Sequence, residues 1–233
     1  MLKCSISKKT TTFASQKYYT ILYFWDMEQL HNNFDTLVII GSWNKYIFSE
    51  EWIVSNILGE GVKYSIQYPL NALGSLRFSL KNFTFCIFGE RLVFQLNNNA
   101  ETSYKEVIKT ARKIFQKLIH TPVTALGVNF LFRSNKSLNI IEDLPQNTEL
   151  KQCIGHDIIS SEITRTFKIT ENETLNFKIE LKDDVNIFNF NFNYNIKSLN
   201  NILDMIEDSD QLILCKRNIA NKIIEDIYED ERK

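Results

Sequence analysis

Histidine, proline, glycine and cysteine are all scarce in this 233-residue chain, and each scarcity removes a class of chemistry. The histidines are His31, His120 and His156, too few for a His-built metal centre without acidic help. The seven glycines form neither a G-x-G-x-x-G turn nor a G-x-x-x-x-G-K-[ST] loop, so no phosphate-cradling motif is present. No G-x-S-x-G elbow and no H-E-x-x-H pair occurs. Cys4, Cys86, Cys153 and Cys215 are scattered without a Cys-x-x-Cys pair, a pattern of reduced thiols rather than of a disulfide framework or zinc site. Charge of one sign is lacking too: 27 basic residues face 28 acidic ones, which exerts no global pull toward nucleic acid or an anionic membrane. No apolar run reaches the roughly 18 residues that a membrane span needs. Met1 to Lys17 is Lys-, Ser- and Thr-rich without an apolar signal core. These absences predict a cytoplasmic protein with no membrane contact, no metal and no cofactor.

The clearest element present is an amphipathic helix over 102–120. Val107, Ile108, Ala111, Ile114, Phe115, Leu118 and Ile119 make one apolar stripe at a period of about 3.6 residues. Thr102 or Ser103 is placed to cap it, with Glu106 at capping-box spacing from Ser103. Pro122 keeps Thr121 out of helical angles, so the helix stops by His120. A strand follows. Leu126, Val128, Phe130 and Phe132 take one side; Ala125, Gly127, Asn129 and Leu131 take the other. Gly127 leaves room there for a neighbouring backbone or helix.

Upstream, Tyr18–Trp25 and Thr36–Gly41 read as strands, and Ser49 caps a short helix that Gly59-Glu60-Gly61 ends. Residues 62–96 read as an antiparallel meander closing in a hairpin, Phe83–Phe88 and Arg91–Leu96 around Gly89-Glu90. Downstream, 162–196 reads as a second meander. Its last strand sets Phe188, Phe190, Phe192 and Tyr194 against Asn189, Asn191, Asn193 and Asn195. The aromatic side is expected in the core. Two amphipathic helices follow; the second carries Leu212, Cys215, Ile219, Ile223 and Ile227 on its apolar side.

The expected fold class is α+β, with antiparallel meanders each followed by helices. Residues 76–120 echo 174–227 in that order, which predicts a tandem pseudo-repeat making one curved sheet with helices on one face. The organisation reads as an N-terminal unit (1–133), a connection (134–161) and a C-terminal unit (162–233), the two units being free to pack as one domain.

The passage His120-Thr121-Pro122-Val123-x-Ala125-Leu126-Gly127-Val128-Asn129-Phe130 resembles a sporadically distributed family of uncharacterised bacterial proteins. In that family a helix ends at a Thr-Pro step and runs into a Gly-x-Asn-aromatic strand. Trp43-Asn44, Trp52 and Phe192-Asn193-Tyr194 are looser echoes. The resemblance covers about thirty residues and implies no activity. It implies a place in mobile or antiviral-defence gene neighbourhoods.

Three sets of residues carry candidate chemistry. Cys153-Ile-Gly-His156-Asp157 gathers a thiol, an imidazole and a carboxylate, but adjacency in a loop seldom gives the geometry that a nucleophile and base need. Glu180-Leu-Lys182 is an E-x-K pair at a strand end; metal-dependent nucleases set such a Glu on the cation and the Lys near the scissile phosphate. Lys105, Lys109, Arg112, Lys113 and Lys117 form the polar side of the central helix. Five phosphate contacts from them would give a salt slope of roughly −4 to −5 on duplex DNA. Against them stand acidic C-terminal segments, Asp204 to Asp210 and Glu225 to Glu231. Such segregation favours complementary contacts between surfaces. The reading is a non-enzymatic interaction or assembly subunit with a protein partner or in a homo-oligomer. A nucleic-acid-binding protein using the basic helix face is the first alternative, a metal-dependent nuclease the second.

Overall fold

The computed structural model describes residues 27–30, 34–69, 76–135, 152–153, 160–182, 185–197, 202–205 and 211–230. The expected strand at 18–25, the connection at 136–151 and 154–159, and the start of the penultimate helix lie outside the described residues, as do His31, His156 and Asp157.

Ten strands form one open antiparallel sheet. They are β1 (Met27–Leu30), β2 (Asp35–Gly41), β3 (Ser65–Gln67), β4 (Arg77–Ser79), β5 (Phe83–Phe88), β6 (Arg91–Leu96), β7 (Val123–Ser134), β8 (Ser160–Lys168), β9 (Glu173–Lys182) and β10 (Val185–Asn195). Their spatial order is β3-β4-β5-β6-β2-β7-β10-β9-β8. β1 pairs with the far half of β7, so β1 and β2 lie end to end along it. The helices used below are α1 (Glu50–Ile53, running on as a π-helical turn, Val54–Leu58), α2 (Glu101–Lys117) and α3 (Leu212–Asp230); the described residues 202–205 are helical as well.

The two halves have the same strand order. In each, a central strand (β2 or β7) is followed by a connection to the sheet edge and a meander that returns inward (β3-β4-β5-β6 or β8-β9-β10), the first half having one strand more in its meander and β1 besides. A helix, α2 or α3, follows each meander. The repeat therefore starts earlier than the 76–120 and 174–227 echo. The halves meet along β2 and β7, and β10 then pairs with β7 over ten residues.

Period-two alternation decides the faces. Leu37, Ile39, Phe85, Phe94, Leu126, Val128, Phe130, Phe188, Phe190 and Phe192 are buried on one face, and the buried side chains of the helices join the same core. The rings of Phe132 and Phe177 lie 5.9 Å and 4.7 Å from that of Phe190. The aromatic side of β10 is thus core, as its alternation predicts. α2 contributes Tyr104, Val107, Ile108, Ala111, Ile114 and Phe115. Gly41 is demanded by packing: a Cβ there would come 2.5 Å from the Pro122 carbonyl.

Local details depart from expectation in three places. α2 starts at Glu101 after Ala100, which offers no side-chain cap, while Asn98 Oδ1 accepts from the Ala100 N–H and the Ser103 hydroxyl and so ties the approach to the first turn. Thr102 and Ser103 are already helical and so cannot serve as the N-cap. The helix ends at Lys117, leaving Leu118 half-buried and Ile119 54% exposed. α3 is rotated relative to its apolar stripe: Ile213, Ala220, Ile224 and Tyr228 are buried while Ile219 is 40% exposed. The reason is a pair of inward-facing cations. Lys216 donates to Glu173 at 2.5 Å, and Arg217 donates through Nε to Gln29 Oε1 at 2.6 Å.

Candidate functional site

The face of the sheet opposite the core carries a polar row built by register. A β-bulge in β2 starts it. Asp35 pairs with Gln95 and Leu37 with Phe94, so one extra residue separates Asp35 from Leu37. In a regular strand Asp35 would share the core face of Leu37; the bulge turns it to the open face.

From β8, Thr166 donates to Asn176 Oδ1 at 2.9 Å, and Asn176 Nδ2 donates to Asn191 Oδ1 at 2.9 Å. Asn191 Nδ2 then donates to Asn129 Oδ1 at 2.5 Å, and Asn129 Nδ2 to the Asp35 carbonyl at 2.7 Å. These side chains are directly opposed cross-strand partners, from Thr166 and Asn176 to Asn191 and Asn129. From the other end, Arg77 donates to Gln95 Oε1, and Gln95 Nε2 donates to Asp35 Oδ1 at 2.6 Å. Both arms point their donors at Asp35. The room that Gly127 leaves on this face is taken by the amides of Asn191 and Asn129, not by a backbone or helix.

At one end of the row lies a cavity of about 400 Å³, lined by Gln67, Arg77, Ser79, Thr84, Gln95 and Asn97, with Leu96 the only apolar lining residue. Thr84 donates to Ser79 Oγ at 3.2 Å, and Asn97 Nδ2 donates to the Leu80 carbonyl at 2.8 Å. Beside the cavity, burial pushes the Cys86 thiol up; Arg77 pulls it down and Asp35 pushes it up further. Cys86 is correspondingly a poor nucleophile near neutral pH.

The residues singled out in the sequence are placed as follows. On α2, Lys109 and Lys117 are exposed, and Lys105 is ion-paired with Glu101 at 2.7 Å. Lys113 donates to the Ile57 carbonyl at 2.8 Å, and Arg112 is half-buried. The five cations therefore do not present one continuous basic track. On β9, Lys178 lies between two acids, 2.6 Å from Glu162 and 3.1 Å from Glu180. Those two ion pairs hold the Lys178 ammonium above its usual range. Glu180 is thus one member of an ion-paired triplet, while Lys182 is exposed at the strand end. Among the described residues no cluster of three or more His, Cys, Asp or Glu side chains is arranged to hold a metal. Cys153 is exposed, and its companions His156 and Asp157 lie outside the described residues. No described helix is long and apolar enough to cross a membrane.

Sequence reasoning missed the row and the cavity. The asparagines of β10 were a visible signal; their partners on β7, β9 and β2 became neighbours only through long-range pairing.

The last turn of α3 is acidic and carries no basic residue. Burial pushes the Glu225 carboxyl up, and Asp226 and Glu229 push the same way against Lys222. A carboxyl whose folded pKa exceeds its unfolded one destabilises the fold at pH above the folded value and ceases to do so below the unfolded value. Glu225→Gln should therefore raise Tm near neutral pH, and the gain should vanish below about pH 4, where the wild-type carboxyl is protonated in both states. Melting curves across pH read this directly; equal Tm values at neutral pH would refute it.

No protein-family model matches the chain, and no curated protein matches it either.

Proposed function

We propose that this chain is a non-enzymatic interaction subunit that joins a protein partner by strand addition at β8. One observation carries the reading. β8 pairs with β9 in unbroken register over nine residues, and it ends the sheet with its other edge unpaired among the described residues. Natural edge strands are commonly short, bulged, charged or interrupted by proline to prevent pairing with other chains, and of these β8 has charges, at Glu162, Arg165 and Lys168. β8 contains no proline and no register shift. Phe167 in the strand is 47% exposed and Ile169 just after it 46%. A strand with free N–H and C=O groups and apolar side chains at hand is the standard template for β-augmentation. An exposed acidic end on α3 adds a second, charge-based contact of the kind that steers association.

The test is site-specific photo-crosslinking from position 164 in cells, combined with sedimentation of the purified chain. A crosslinked protein, or a second copy of this chain, captured through β8 is the expected result. The capture should be lost in Phe167→Lys/Ile169→Lys, with the circular dichroism spectrum unchanged. Equal capture by that double variant would overturn the reading.

A further inference from the structure

The cavity at the β3–β6 end of the open face is a site of a different kind, and it stands independently of strand addition at β8. Its only charged lining residue is Arg77. A guanidinium carries five N–H donors in a fixed fork. Here one bond is made, to Gln95 Oε1, and no described carboxylate lies within ion-pair distance of Arg77. The nearest acid in the network is Asp35, and it is reached only through the neutral amide of Gln95. Asp35 thus fixes the orientation of Gln95, and Gln95 that of Arg77, without neutralising the guanidinium by direct contact. That is the arrangement of a preorganised anion receptor: a half-buried cation, aimed by a relay of hydrogen bonds, with its remaining donors unspent.

The rest of the lining selects the body of the ligand. The Ser79 hydroxyl proton and the Gln67 amide have no partner among the described residues, and both face the same space as Arg77. Thr84 and Asn97 are held in place by bonds to Ser79 and Leu80. No aromatic side chain lines the cavity, so nothing there stacks on a planar ring. Hydroxyl and amide groups around one guanidinium suit a small, polyhydroxylated molecule with one anionic group. A volume of about 400 Å³ accommodates a monosaccharide-sized ligand.

We propose that this cavity binds a hydroxylated anion of sugar-acid or sugar-phosphate type. Arg77 takes the carboxylate or phosphate, and Gln67, Ser79 and Gln95 contact the hydroxyls.

The test is an NMR titration of the ¹⁵N-labelled full chain at constant ionic strength. It follows the Arg77 Nε–H and the side-chain amides of Gln67, Gln95 and Asn97. The probes are glucose 6-phosphate, glucuronate, uncharged glucose and inorganic phosphate. Saturable shifts at these groups with at least one anionic sugar, and none with glucose, are expected; the tighter anion assigns the charged group as phosphate or carboxylate. Arg77→Gln should weaken binding about tenfold or more, and Arg77→Lys, which keeps the charge but loses the fork, by less. Phe167→Lys/Ile169→Lys should leave the titration unchanged, which separates this site from the β8 edge. Shifts that fail to saturate with either anionic sugar, or an unaltered affinity in folded Arg77→Gln, would overturn the assignment.

Discussion

Replacing Lys216 with alanine is expected to cost the fold about 3–5 kcal/mol, because it strands a buried carboxylate. Glu173 is 8% exposed, and its nearest cation is Lys216 at 2.5 Å. The Tyr194 hydroxyl also hydrogen-bonds Glu173, and burial together with that carboxylate drives the phenol far above its usual range. Lys216 further lies over the rings of Phe192 and Tyr194, at 5.3 Å and 5.5 Å. Its removal deletes one ion pair and two cation–ring contacts, and leaves the acid where water does not reach it. The neighbouring Arg217 points to the other half of the molecule, where it meets Gln29 and lies over the Tyr104 ring at 5.6 Å. Adjacent residues of α3 thus grip the second meander and the β1–α2 region at once. Urea unfolding of Lys216→Ala measures the cost. The control is Glu173→Leu/Lys216→Met, which removes both charges and should recover most of the loss. A single variant within about 1 kcal/mol of wild type would show that Glu173 reaches solvent.

Phe190→Ala is the second large effect. Phe190 is fully buried at the centre of β10, its ring 4.7 Å from Phe177, 5.9 Å from Phe132 and 6.5 Å from Phe192. Truncation removes transfer free energy and leaves a void that three strands cannot close, at a cost of about 3–5 kcal/mol. For a chain of this size that corresponds to a fall in Tm of roughly 10 °C or more. One residue earlier, Asn189 sits on the opposite face and is half-exposed. Asn189→Ala should stay within about 0.5 kcal/mol of wild type. Thermal melts of the two variants side by side test the alternation itself. Similar losses in both would mean that the two faces of β10 are not distinct.

That alternation was readable from the residues because a strand's period of two needs no knowledge of its neighbours. The 83–96 hairpin was legible for the same reason: its turn is local, and Gly89 adopts φ +59°, the positive value that a two-residue hairpin turn needs at its first position. So was the apolar stripe of α2. The insertion of β2 between β6 and β7 was not, because nothing in Asp35–Gly41 names a partner some fifty or ninety residues away. The bulge at Asp35 was equally hidden, since one extra residue changes which way a side chain points without changing composition. α3 misled for a different reason. A hydrophobic stripe assumes that cations face water, and Lys216 and Arg217 do not. The polar row follows from the first two: it exists only when seven strands, β4, β6, β2, β7, β10, β9 and β8, are set side by side.

The like-ordered halves have a further consequence. Each is a half-sheet whose innermost ribbon is paired on one side within its own half and meets its twin on the other, as the contact of β2 with β7 shows. A single such module, made alone, would have to find a second copy to cover that exposed rim. The present chain reads as the covalently fused form of such a couple. The two halves differ at their outer ends: an arginine-bearing hollow sits at one extremity and a regular ribbon at the other.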